Sequence, residues 1–421
     1  MTPRRIVIIG AALAGATAAV TLRSEGFDGE IELVGAEPHL PYNRPPLSKG
    51  YLRGEERFED QLVNPAGAYA EKRIAPRLGV RATAIDAAAK RVQLDSGERI
   101  AYDRLLVATG GRNRTLAMPG SALAGVLQLR TVEDCDRIRA AAQQARRVVV
   151  VGLGFIGAEV AASLRQLGVT VTLVGPDPAP LARVLGREVG DVLGGVHRDK
   201  GVELVPGESV AAFEGTARVE RVLTASGRRL DGDLVVAGIG IVPNTELLAA
   251  AGARVDNGVL VDEHCRTSLP DVYAAGDVTN HQHPVFGRLR VEHWNNALRQ
   301  GQAAARAMLG DPRPYDYVHT FWSDQYEHSL QYVGFATSWD RLVFRGRPRT
   351  RRFLGFYVKE GLVRAAVGFD RGGDPEAADT ESELKSVVSL IGRRLKVQPE
   401  WLEDEDVDLR RLAETGSRAR S

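Results

Sequence analysis

The run Val148-Val149-Val150-Val151-Gly152-Leu153-Gly154-Phe155-Ile156-Gly157-Ala158-Glu159 joins a buried-strand pattern to a G-x-G-x-x-G turn. A helical stretch to Gly168 and a second strand, from Val169 to Val174, follow it. In such a unit the first glycine makes the tight turn, the second admits a phosphate and the third lets the helix approach the strand closely. Because amides at a helix N-terminus face the pyrophosphate, the run predicts a dinucleotide site.

Another copy of this unit begins at Ile6. Ile6-Val7-Ile8-Ile9 predicts a strand, Gly10-Ala11-Ala12-Leu13-Ala14-Gly15 predicts the turn, and an Ala-rich helix and a strand at 30–35 complete it. Ala12 stands where the middle glycine usually lies, which is a departure from the pattern. A lone glycine motif is weak evidence, but two complete units argue against chance. They also argue against a signal peptide over 6–22, since the same pattern recurs deep in the chain.

An acidic residue follows the second strand of each unit, as Gly35-Ala36-Glu37 and as Gly175-Pro176-Asp177. An acid about 20 residues beyond the glycines normally binds the adenosine ribose. Glu37 and Asp177 are the candidates, with ordinary loop carboxylates as the alternative. No arginine follows Val174 until Arg183, so the second unit is expected to favour NADH over NADPH.

Composition excludes several classes of function. The 421 residues, enough for two or three domains, carry 55 Lys and Arg against 54 Asp and Glu, so no net field favours nucleic acid or a membrane. Cys135 and Cys265, 130 residues apart, give no disulfide framework, C-x-x-C pair or zinc box. His281-Gln282-His283, expected in a polar loop, has no carboxylate partner, so no metal is predicted. The chain is expected to be cytoplasmic.

Three further stretches lie around the second unit. Asp103 to Arg112 and Leu234 to Gly240 each predict a strand that ends in a glycine turn, and Thr267 to Asp277 ends in a Gly-Asp pair that is expected to open a helix. In this order the motifs resemble the two-dinucleotide-domain flavoproteins of the glutathione reductase type. The resemblance implies FAD and a nicotinamide nucleotide as cofactors, with Asp277 bonded to the ribityl chain of FAD.

Two segments narrow the resemblance, Pro41-Tyr42-Asn43-Arg44-Pro45-Pro46-Leu47-Ser48-Lys49 and Phe321-Trp322-Ser323-Asp324-Gln325. They resemble the FAD-dependent ferredoxin reductases that serve bacterial cytochromes P450 and aromatic-ring oxygenases. This group implies an NAD(P)H:ferredoxin oxidoreductase, in which a hydride passes from NADH to FAD and single electrons pass to a 2Fe-2S ferredoxin. It also implies an α/β fold of two Rossmann-like domains and a C-terminal α+β domain with an antiparallel sheet. The implied boundaries are 1–111 with 243–316 for FAD, 112–242 for NAD and 317–421 for the C-terminal domain.

The same resemblance implies the site residues. Lys49 would lie near the reactive edge of the flavin, Glu159 would pair with Lys49 and point to the nicotinamide, and Trp322 would close over this side. The alternatives are a first-turn acid of its helix for Glu159 and an ordinary core residue for Trp322. FAD contacts are expected from Gly10, Ala12, Leu13, Ala14, Gly15, Ala36, Glu37, Arg44, Lys49, Ala82, Thr109, Gly110, Arg130, Asp277 and Trp294. NAD contacts are expected from Gly152, Gly154, Phe155, Ile156, Gly157, Glu159, Asp177, Arg183 and Gly240.

The missing thiols bear on the reaction. Disulfide reductases of this architecture carry a C-x-x-x-x-C pair near the flavin, and flavin peroxidases carry a single cysteine in the same region, whereas residues 42–51 hold none. Cys135 is expected to be a small buried hydrophobe on a helix. An electron-transfer flavoprotein is therefore favoured over a disulfide reductase.

The last third of the chain, after Pro314, is rich in aromatic residues, and 353–358 and 362–367 predict an antiparallel sheet. Eight positive residues and one acid lie between Arg341 and Arg364, which makes this stretch a candidate docking surface for an acidic ferredoxin. A solvated hairpin is the alternative, and an acidic run at 400–408 balances the charge in number. A second functional hypothesis is a redox-sensing protein resembling apoptosis-inducing factor, which uses NADH binding to change its assembly state.

Overall fold

The computed structural model describes residues 4–377 and 382–417. The chain forms two compact units, the first from 1–43, 58–112 and 242–319 and the second from 44–57, 113–241 and 320–421. Residues 44–57, which the sequence assigned to the FAD domain, group with the second unit. The reason is that their helix Gly50–Arg53 packs against the helices Val132–Ala142 and Phe155–Gln166 of that unit. The chain passes between the units in short strands, Gly111–Asn113 and Ile241–Pro243, which pair.

A five-stranded parallel sheet forms the centre of the first unit. Its strands are, in order across the sheet, Val272–Ala274, Arg104–Val107, Arg5–Ile9, Glu30–Gly35 and Ala75–Leu78. After their first residues, Arg5–Ile9 and Arg104–Val107 are continuous apolar runs because both of their faces are buried, as is usual for central strands of parallel sheets. Helices Leu13–Ser24 and Trp294–Met308 pack on each other, so closely that a Cβ at Gly301 would lie 2.5 Å from the Ala14 carbonyl oxygen.

Two smaller sheets complete the first unit. One is antiparallel, with strands Ala82–Asp86, Arg91–Leu94 and Arg99–Ala101, and the other contains Val259–Val261, Thr279–His283 and Gly287–Leu289. The unit also holds the short helices Ala68–Glu71 and Glu246–Ala250.

The expectation of a helix after Asp277 is wrong. Asp277 lies in a turn, and the strand Thr279–His283 follows it. This segment is a strand because it is hydrogen-bonded on both sides, to Val259–Val261 and to Gly287–Leu289. The polar loop expected for His281 and His283 is wrong for the same reason, since both lie in this strand and are buried.

The second unit is built on its own five-stranded parallel sheet. Its order is Glu203–Pro206, Thr170–Gly175, Arg147–Val151, Leu234–Ala237 and Val126–Gln128. Besides Val132–Ala142 and Phe155–Gln166, the helix Ala182–Asp199 belongs to this part, with an antiparallel sheet of Val210–Glu214, Arg221–Thr224 and Arg229–Asp231. The two glycine motifs thus follow the central strand of two similar sheets, which confirms the predicted pair of dinucleotide-binding folds.

The C-terminal part of the second unit is a five-stranded antiparallel sheet, as expected. Its strands are, in order, Thr320–Gln325, His328–Gly334, Leu362–Phe369, Arg352–Lys359 and Arg341–Arg347. The helices Glu383–Gly392, Pro399–Glu403 and Leu409–Thr415 follow. Stacked rings fill its core, including Phe321 on Tyr332, with centroids 4.6 Å apart. Among the described residues, no helix is both long and apolar enough to cross a bilayer.

Candidate active site

The two glycine turns have nearly the same backbone geometry. Gly10 and Gly152 have φ of +112° and +113°, and a Cβ there would lie 2.1 Å from the Ala108 carbonyl oxygen and 2.3 Å from the Gly238 carbonyl oxygen, respectively. Each turn therefore requires glycine at its first position, because a side chain would strike the end of a neighbouring strand. The two predicted strand-to-helix turns are therefore confirmed.

The helices that follow these turns are open at their N-termini. Ala12 and Gly154 occupy the N-cap positions of Leu13–Ser24 and Phe155–Gln166, and neither helix has a side-chain cap. A Cβ at Gly154 would meet nothing within 4 Å. The first-turn amides of each helix are therefore free of side-chain caps and fit the oxygens of a pyrophosphate.

The two ribose candidates have different partners. The Glu37 carboxylate accepts a hydrogen bond of 2.5 Å from the hydroxyl of the buried Tyr42. The Asp177 carboxylate accepts one of 2.9 Å from Arg183, whose side chain is 75% exposed. Ala36 is exposed beside Glu37. Asp177 and Arg183 are thus brought together as an ion pair, which the sequence did not predict.

A braced loop lies at the expected flavin contacts Thr109 and Gly110. The Thr109 hydroxyl donates to the Asn244 carbonyl oxygen at 2.9 Å, and the Asn244 side-chain amide donates back to the Thr109 carbonyl oxygen at 2.8 Å. The Asn244 backbone amide donates to the Gly110 carbonyl oxygen. Asn244 was missed because it is far away in sequence and carries no motif.

The remaining FAD candidates of the first unit are on separate elements. Trp294 begins its helix, and its indole N–H donates to the Asn43 side-chain oxygen at 2.8 Å. Ala82 is buried at the start of its strand, and Asp277 lies half-buried in the turn after Val272–Ala274.

The expected pair of Lys49 and Glu159 forms within the second unit. Lys49 Nζ lies 2.8 Å from Glu159 Oε2, and Glu159 is 4% exposed. Ser48 donates to the same oxygen at 2.5 Å, while Ser323 donates to Oε1 at 2.7 Å. A buried carboxylate is very costly without such partners, so the two serines and the lysine together explain how it can lie here.

Glu159 is not a first-turn acid, so that alternative is wrong. It is the fifth residue of Phe155–Gln166, and the first turn of this helix contains no acid. Its burial therefore rests on side-chain partners and not on the helix dipole, whose effect is confined to the first turn. Ser48 and Ser323 were missed as candidates because they come from segments more than 100 residues away from Glu159.

Other candidates of the second unit have clear placements. Arg44 donates to the Arg130 carbonyl oxygen at 2.5 Å, which joins two of the expected FAD contacts. Trp322 is only partly buried, between the buried neighbours Phe321 and Ser323 in its strand. In the second glycine motif, the Phe155 ring meets Phe321 edge-on at 4.7 Å and Ile156 is exposed. Gly240 has a φ of +91° in a loop after its strand.

Both cysteines are unsuited to thiol chemistry. Cys135 is fully buried in Val132–Ala142 and its thiol donates to the Leu47 carbonyl oxygen at 3.2 Å, as expected for a small hydrophobe on a helix. Burial raises the pKa of the Cys135 thiol to about 12 and also raises the pKa of the Cys265 thiol. Because the thiolate is the reactive form, neither residue can act as a nucleophile near neutral pH.

The buried histidines of the first unit are neutral. His283 donates from Nε2 to the Tyr317 carbonyl oxygen at 3.0 Å and accepts at Nδ1 from the Val285 amide. Burial lowers the pKa of His281 to about 3. Among the described residues, no three His, Cys, Asp or Glu side chains are grouped as a metal site would need.

The basic stretch 341–364 is partly covered by the chain's own acids. Arg341 pairs with Glu400 at 3.4 Å, Arg351 pairs with Asp199, and Arg345 is buried. Three arginines at the hairpin turn are exposed and make no ion pair with another described residue: Arg347, Arg349 and Arg352. We call these three the turn arginines. The positive charge is thus concentrated at one end of the hairpin.

Comparison with known proteins places this arrangement in a family. The family model described as pyridine nucleotide-disulphide oxidoreductase matches residues 4–301, and the model described as reductase C-terminal matches 320–413. The chain belongs to the pyridine nucleotide-disulphide oxidoreductase family, in the group of the ferredoxin reductases. The match to both models covers the two nucleotide units and the C-terminal sheet.

Individual relatives cover nearly the whole chain. The chain is 39% identical to the probable ferredoxin reductase CtmF of Castellaniella defragrans, and the match covers 97% of this chain and 98% of CtmF. It is 38% identical to the ferredoxin--NAD(+) reductase component of the biphenyl dioxygenase system of Paraburkholderia xenovorans, with 97% and 98% covered. Among solved structures, it resembles a chain of the covalent putidaredoxin reductase-putidaredoxin complex, with a TM-score of 0.91, 36% identity and 98% of each chain covered.

This family implies a flavin and a pyridine nucleotide, and the residues fit both groups. Each unit offers a helix N-terminus without a side-chain cap after a glycine turn, and each has an acid beyond its second strand. The family's disulphide chemistry does not fit, because the chain has only two cysteines, one in each unit, and both are buried as thiols.

Proposed function

We propose that this chain is an NADH-dependent ferredoxin reductase. In this reaction a hydride passes from NADH to FAD, and single electrons then pass to a 2Fe-2S ferredoxin. The ferredoxin supplies electrons to a cytochrome P450 or a ring-hydroxylating oxygenase. The observation that carries the proposal is the pairing of the partly exposed Lys49 with the buried Glu159, in a part of the chain without a reactive thiol. The relatives named as ferredoxin reductases support the same partner class.

The residues have separate tasks in this reaction. The open helix ends at Leu13 and Phe155 bind the pyrophosphates of the two dinucleotides. FAD, when bound, accepts two electrons as a hydride and releases them singly. Lys49 supplies a fixed cation that favours the reduced flavin, and Glu159 fixes the position of its ammonium group.

NADH is proposed as the donor because Arg183 is engaged by Asp177. An arginine that binds a 2′-phosphate must present its guanidinium to that group, whereas here the guanidinium faces a carboxylate at 2.9 Å. The same carboxylate would repel the 2′-phosphate of NADPH. The name of the relative from Paraburkholderia xenovorans, a ferredoxin--NAD(+) reductase component, supports this choice.

The turn arginines are proposed as the docking surface for the ferredoxin. An exposed positive cluster raises the rate of association with an acidic partner, and salt weakens the effect. Replacing all three by Glu should raise the KM for ferredoxin about tenfold at low salt and leave the NADH-dependent reduction of ferricyanide unchanged. The matched control is Arg146→Glu with Arg198→Glu and Arg218→Glu, three exposed arginines elsewhere in the second unit that also make no ion pair with another described residue. An unchanged KM would place the docking surface elsewhere.

The proposed function is tested by NADH-driven reduction of purified 2Fe-2S ferredoxins, followed by the absorbance of the cluster. Turnover with at least one ferredoxin of a P450 or oxygenase system is expected. A yellow protein that reduces none of a broad set would contradict the proposal. If the same protein instead changed its oligomeric size when NADH was added, the redox-sensing alternative would be supported.

A further inference from the structure

A line of buried polar side chains leads away from Glu159 within the second unit. Ser323, Gln325 and His197 are at most 3% exposed, and Tyr326 is half-buried at the outer end. The contacts in this line are Glu159 Oε1 to Ser323 Oγ at 2.7 Å, Ser323 Oγ to Gln325 Nε2 at 3.0 Å, Gln325 Oε1 to His197 Nε2 at 2.9 Å, and His197 Nδ1 to the Tyr326 hydroxyl at 3.2 Å. We call these four side chains the donor line.

The carboxylate fixes the direction of every hydrogen bond in the donor line. An ionised carboxylate only accepts, so the Ser323 hydroxyl donates its proton to Glu159. Ser323 Oγ must then accept, which turns the Gln325 amide so that its Nε2 faces the serine. The Gln325 oxygen consequently faces His197.

The same reasoning continues to the outer end. Because the Gln325 oxygen only accepts, His197 must carry its proton on Nε2, and His197 Nδ1 is left to accept from the Tyr326 hydroxyl. His197 is neutral, since burial lowers its pKa to about 4. All four bonds therefore donate toward Glu159, and bonds aligned in this way polarise one another.

We infer that Tyr326, His197 and Gln325 are positioning residues that act through Ser323 to hold Glu159 as an ionised acceptor for Lys49, and that the charge of Glu159 in turn sets the tautomer of His197. The donor line is not needed to fill space, because apolar side chains of similar size would do so without buried polar atoms. It supplies the donor on Oε1 and leaves Oε2 to Ser48 and Lys49.

The backbone supports a specific requirement at the outer end. Tyr326 has a φ of +58°, a left-handed conformation that is costly for a non-glycine residue. The turn that contains it joins Thr320–Gln325 to His328–Gly334, and glycine would be the easier residue there. Instead this position carries the side chain that reaches His197, with Lys200 Nζ 5.5 Å from the centre of its ring.

The coupling between Glu159 and His197 can be measured by 15N NMR of the histidine rings in the flavin-loaded protein, without NADH or ferredoxin. Wild-type His197, assigned by the loss of its signals in His197→Gln, should be neutral with its proton on Nε2. Glu159→Gln should shift both ring nitrogens, although two side chains separate the residues. Tyr357→Phe is the matched control, because it removes another buried hydroxyl, one that donates to Leu185, just before the kink at Gly186 that precedes the helical turns carrying His197. A wild-type Nδ1–H tautomer, or unchanged signals in Glu159→Gln, would overturn the inference.

A kinetic arm of the test rests on the proposed function. Gln325→Glu keeps the shape of the side chain but turns the donor that faces Ser323 into an acceptor, so the serine proton is shared between two carboxylates. The rate constant of flavin reduction by NADH should fall about tenfold, and Tyr326→Phe should have a smaller effect because it removes only the outermost donor. If Gln325→Glu does not fold, His197→Leu replaces it, with His197→Gln expected to restore the rate because it keeps a donor toward Gln325.

The two arms separate the possible failures. Wild-type rates of flavin reduction in folded variants whose NMR coupling is lost would contradict the positioning role. A protein that shows the coupling but reduces no ferredoxin would contradict the proposed function and leave the donor line in place.

Discussion

The two glycine turns share their backbone geometry but differ in what surrounds them. At the first turn the N-cap is Ala12, and the acid Glu37 is bound by the buried Tyr42. At the second turn the N-cap is the open Gly154, and the acid Asp177 is bound by the highly exposed Arg183. The backbone provides the same pyrophosphate site in both units, whereas the side chains make the first site more enclosed than the second.

This difference fits the two roles in the proposed reaction. A cofactor that stays bound is held more tightly by buried side chains with fixed positions. These side chains become ordered once, when the protein folds, and not again at each binding event. A nucleotide that exchanges in each cycle needs an open entry and partners that can rearrange at low cost. The following predictions test this contrast.

The largest effect is expected from Gly10→Ala. The new Cβ would lie 2.1 Å from the Ala108 carbonyl oxygen at a φ of +112°, so the change should destabilise the protein by more than about 3 kcal/mol and abolish FAD binding. Gly152→Ala meets a similar clash, 2.3 Å from the Gly238 carbonyl oxygen, and should destabilise the protein by a similar amount, but the folded protein should stay yellow and no longer be reduced by NADH. Flavin absorbance and denaturant unfolding measure both effects. Gly26→Ala, at a positive φ with nothing within 4 Å, is the control for backbone strain alone. Full flavin content in Gly10→Ala would remove the basis of the contrast.

Lys49→Met is the next change in size of effect. It leaves the Glu159 carboxylate buried without its cation, which should lower the free energy of unfolding by about 3 kcal/mol, measured by denaturant titration. Flavin reduction by NADH, measured by stopped-flow absorbance, should slow as well, because the fixed cation is lost. The double variant Lys49→Met with Glu159→Gln should recover most of the stability but not the rate. Wild-type kinetics in Lys49→Met would show that Lys49 does not act on the flavin.

The sequence predicts this fold well where backbone geometry depends on local residue types. The strands at 5–9 and 147–151, their glycine turns and the helices after them are local patterns, and the structure confirms them. The pairing of Lys49 with Glu159 came from the resemblance and is also observed.

Other features depend on contacts between distant segments, and the sequence did not predict them. A helix was expected after the Gly276-Asp277 pair and a polar loop at His281-Gln282-His283, yet strand pairing on both sides makes Thr279–His283 a buried strand. Ser48 and Ser323 reach Glu159 from separate elements and form no spacing pattern. The contacts of residues 44–57 with Val132–Ala142 and Phe155–Gln166 were not expected either, since these helices follow much later in the chain.

Acid should act more strongly on the first unit than on the second. In the first unit, burial lowers the pKa of His281 to about 3 and the pKa of His293 to about 4, and it also lowers the pKa of His319. In the second unit, burial lowers the pKa of His197 to about 4. The unfolded chain binds each of these protons near pH 6.5, but the folded chain does not. Stability should therefore fall as the pH drops from about 6.5 toward 4, by about 1.4 kcal/mol per pH unit for each histidine.

His281→Phe tests this pH dependence. The slope of the unfolding free energy against pH, measured by denaturant titration between pH 6 and 5, should decrease by the contribution of one histidine, about 1.4 kcal/mol per pH unit. Neither ring nitrogen of His281 has a hydrogen-bond partner among the described residues, so the variant should also gain about 1 kcal/mol at pH 7. His264→Gln, at a partly exposed histidine, is the control variant. An unchanged slope in His281→Phe would mean that His281 is protonated in the folded protein.

The smallest effect is expected from Asp177→Ala. Use of NADH should remain close to wild type, because the pyrophosphate site is unaffected. The kcat/KM for NADPH should rise about fivefold, since Arg183 is released from its carboxylate and can face a 2′-phosphate. Steady-state kinetics with both nucleotides measure the ratio. If kcat/KM for NADH fell by a larger factor than kcat/KM for NADPH rose, Asp177 would be shown to bind the ribose directly.

The buried Arg345 has a consequence for the end of the chain. Its guanidinium, 2% exposed, donates to the carbonyl oxygens of Asp404 and Val407, and in this way ties the segment after Pro399–Glu403 to the strand Arg341–Arg347. A protease that cut before residue 404 would remove both carbonyl acceptors of this buried charged group and leave Glu383, 3.6 Å from its Nη1, as its ion-pair partner. Residues 404–407 therefore supply hydrogen-bond acceptors to the C-terminal sheet, and removing them is expected to destabilise that sheet.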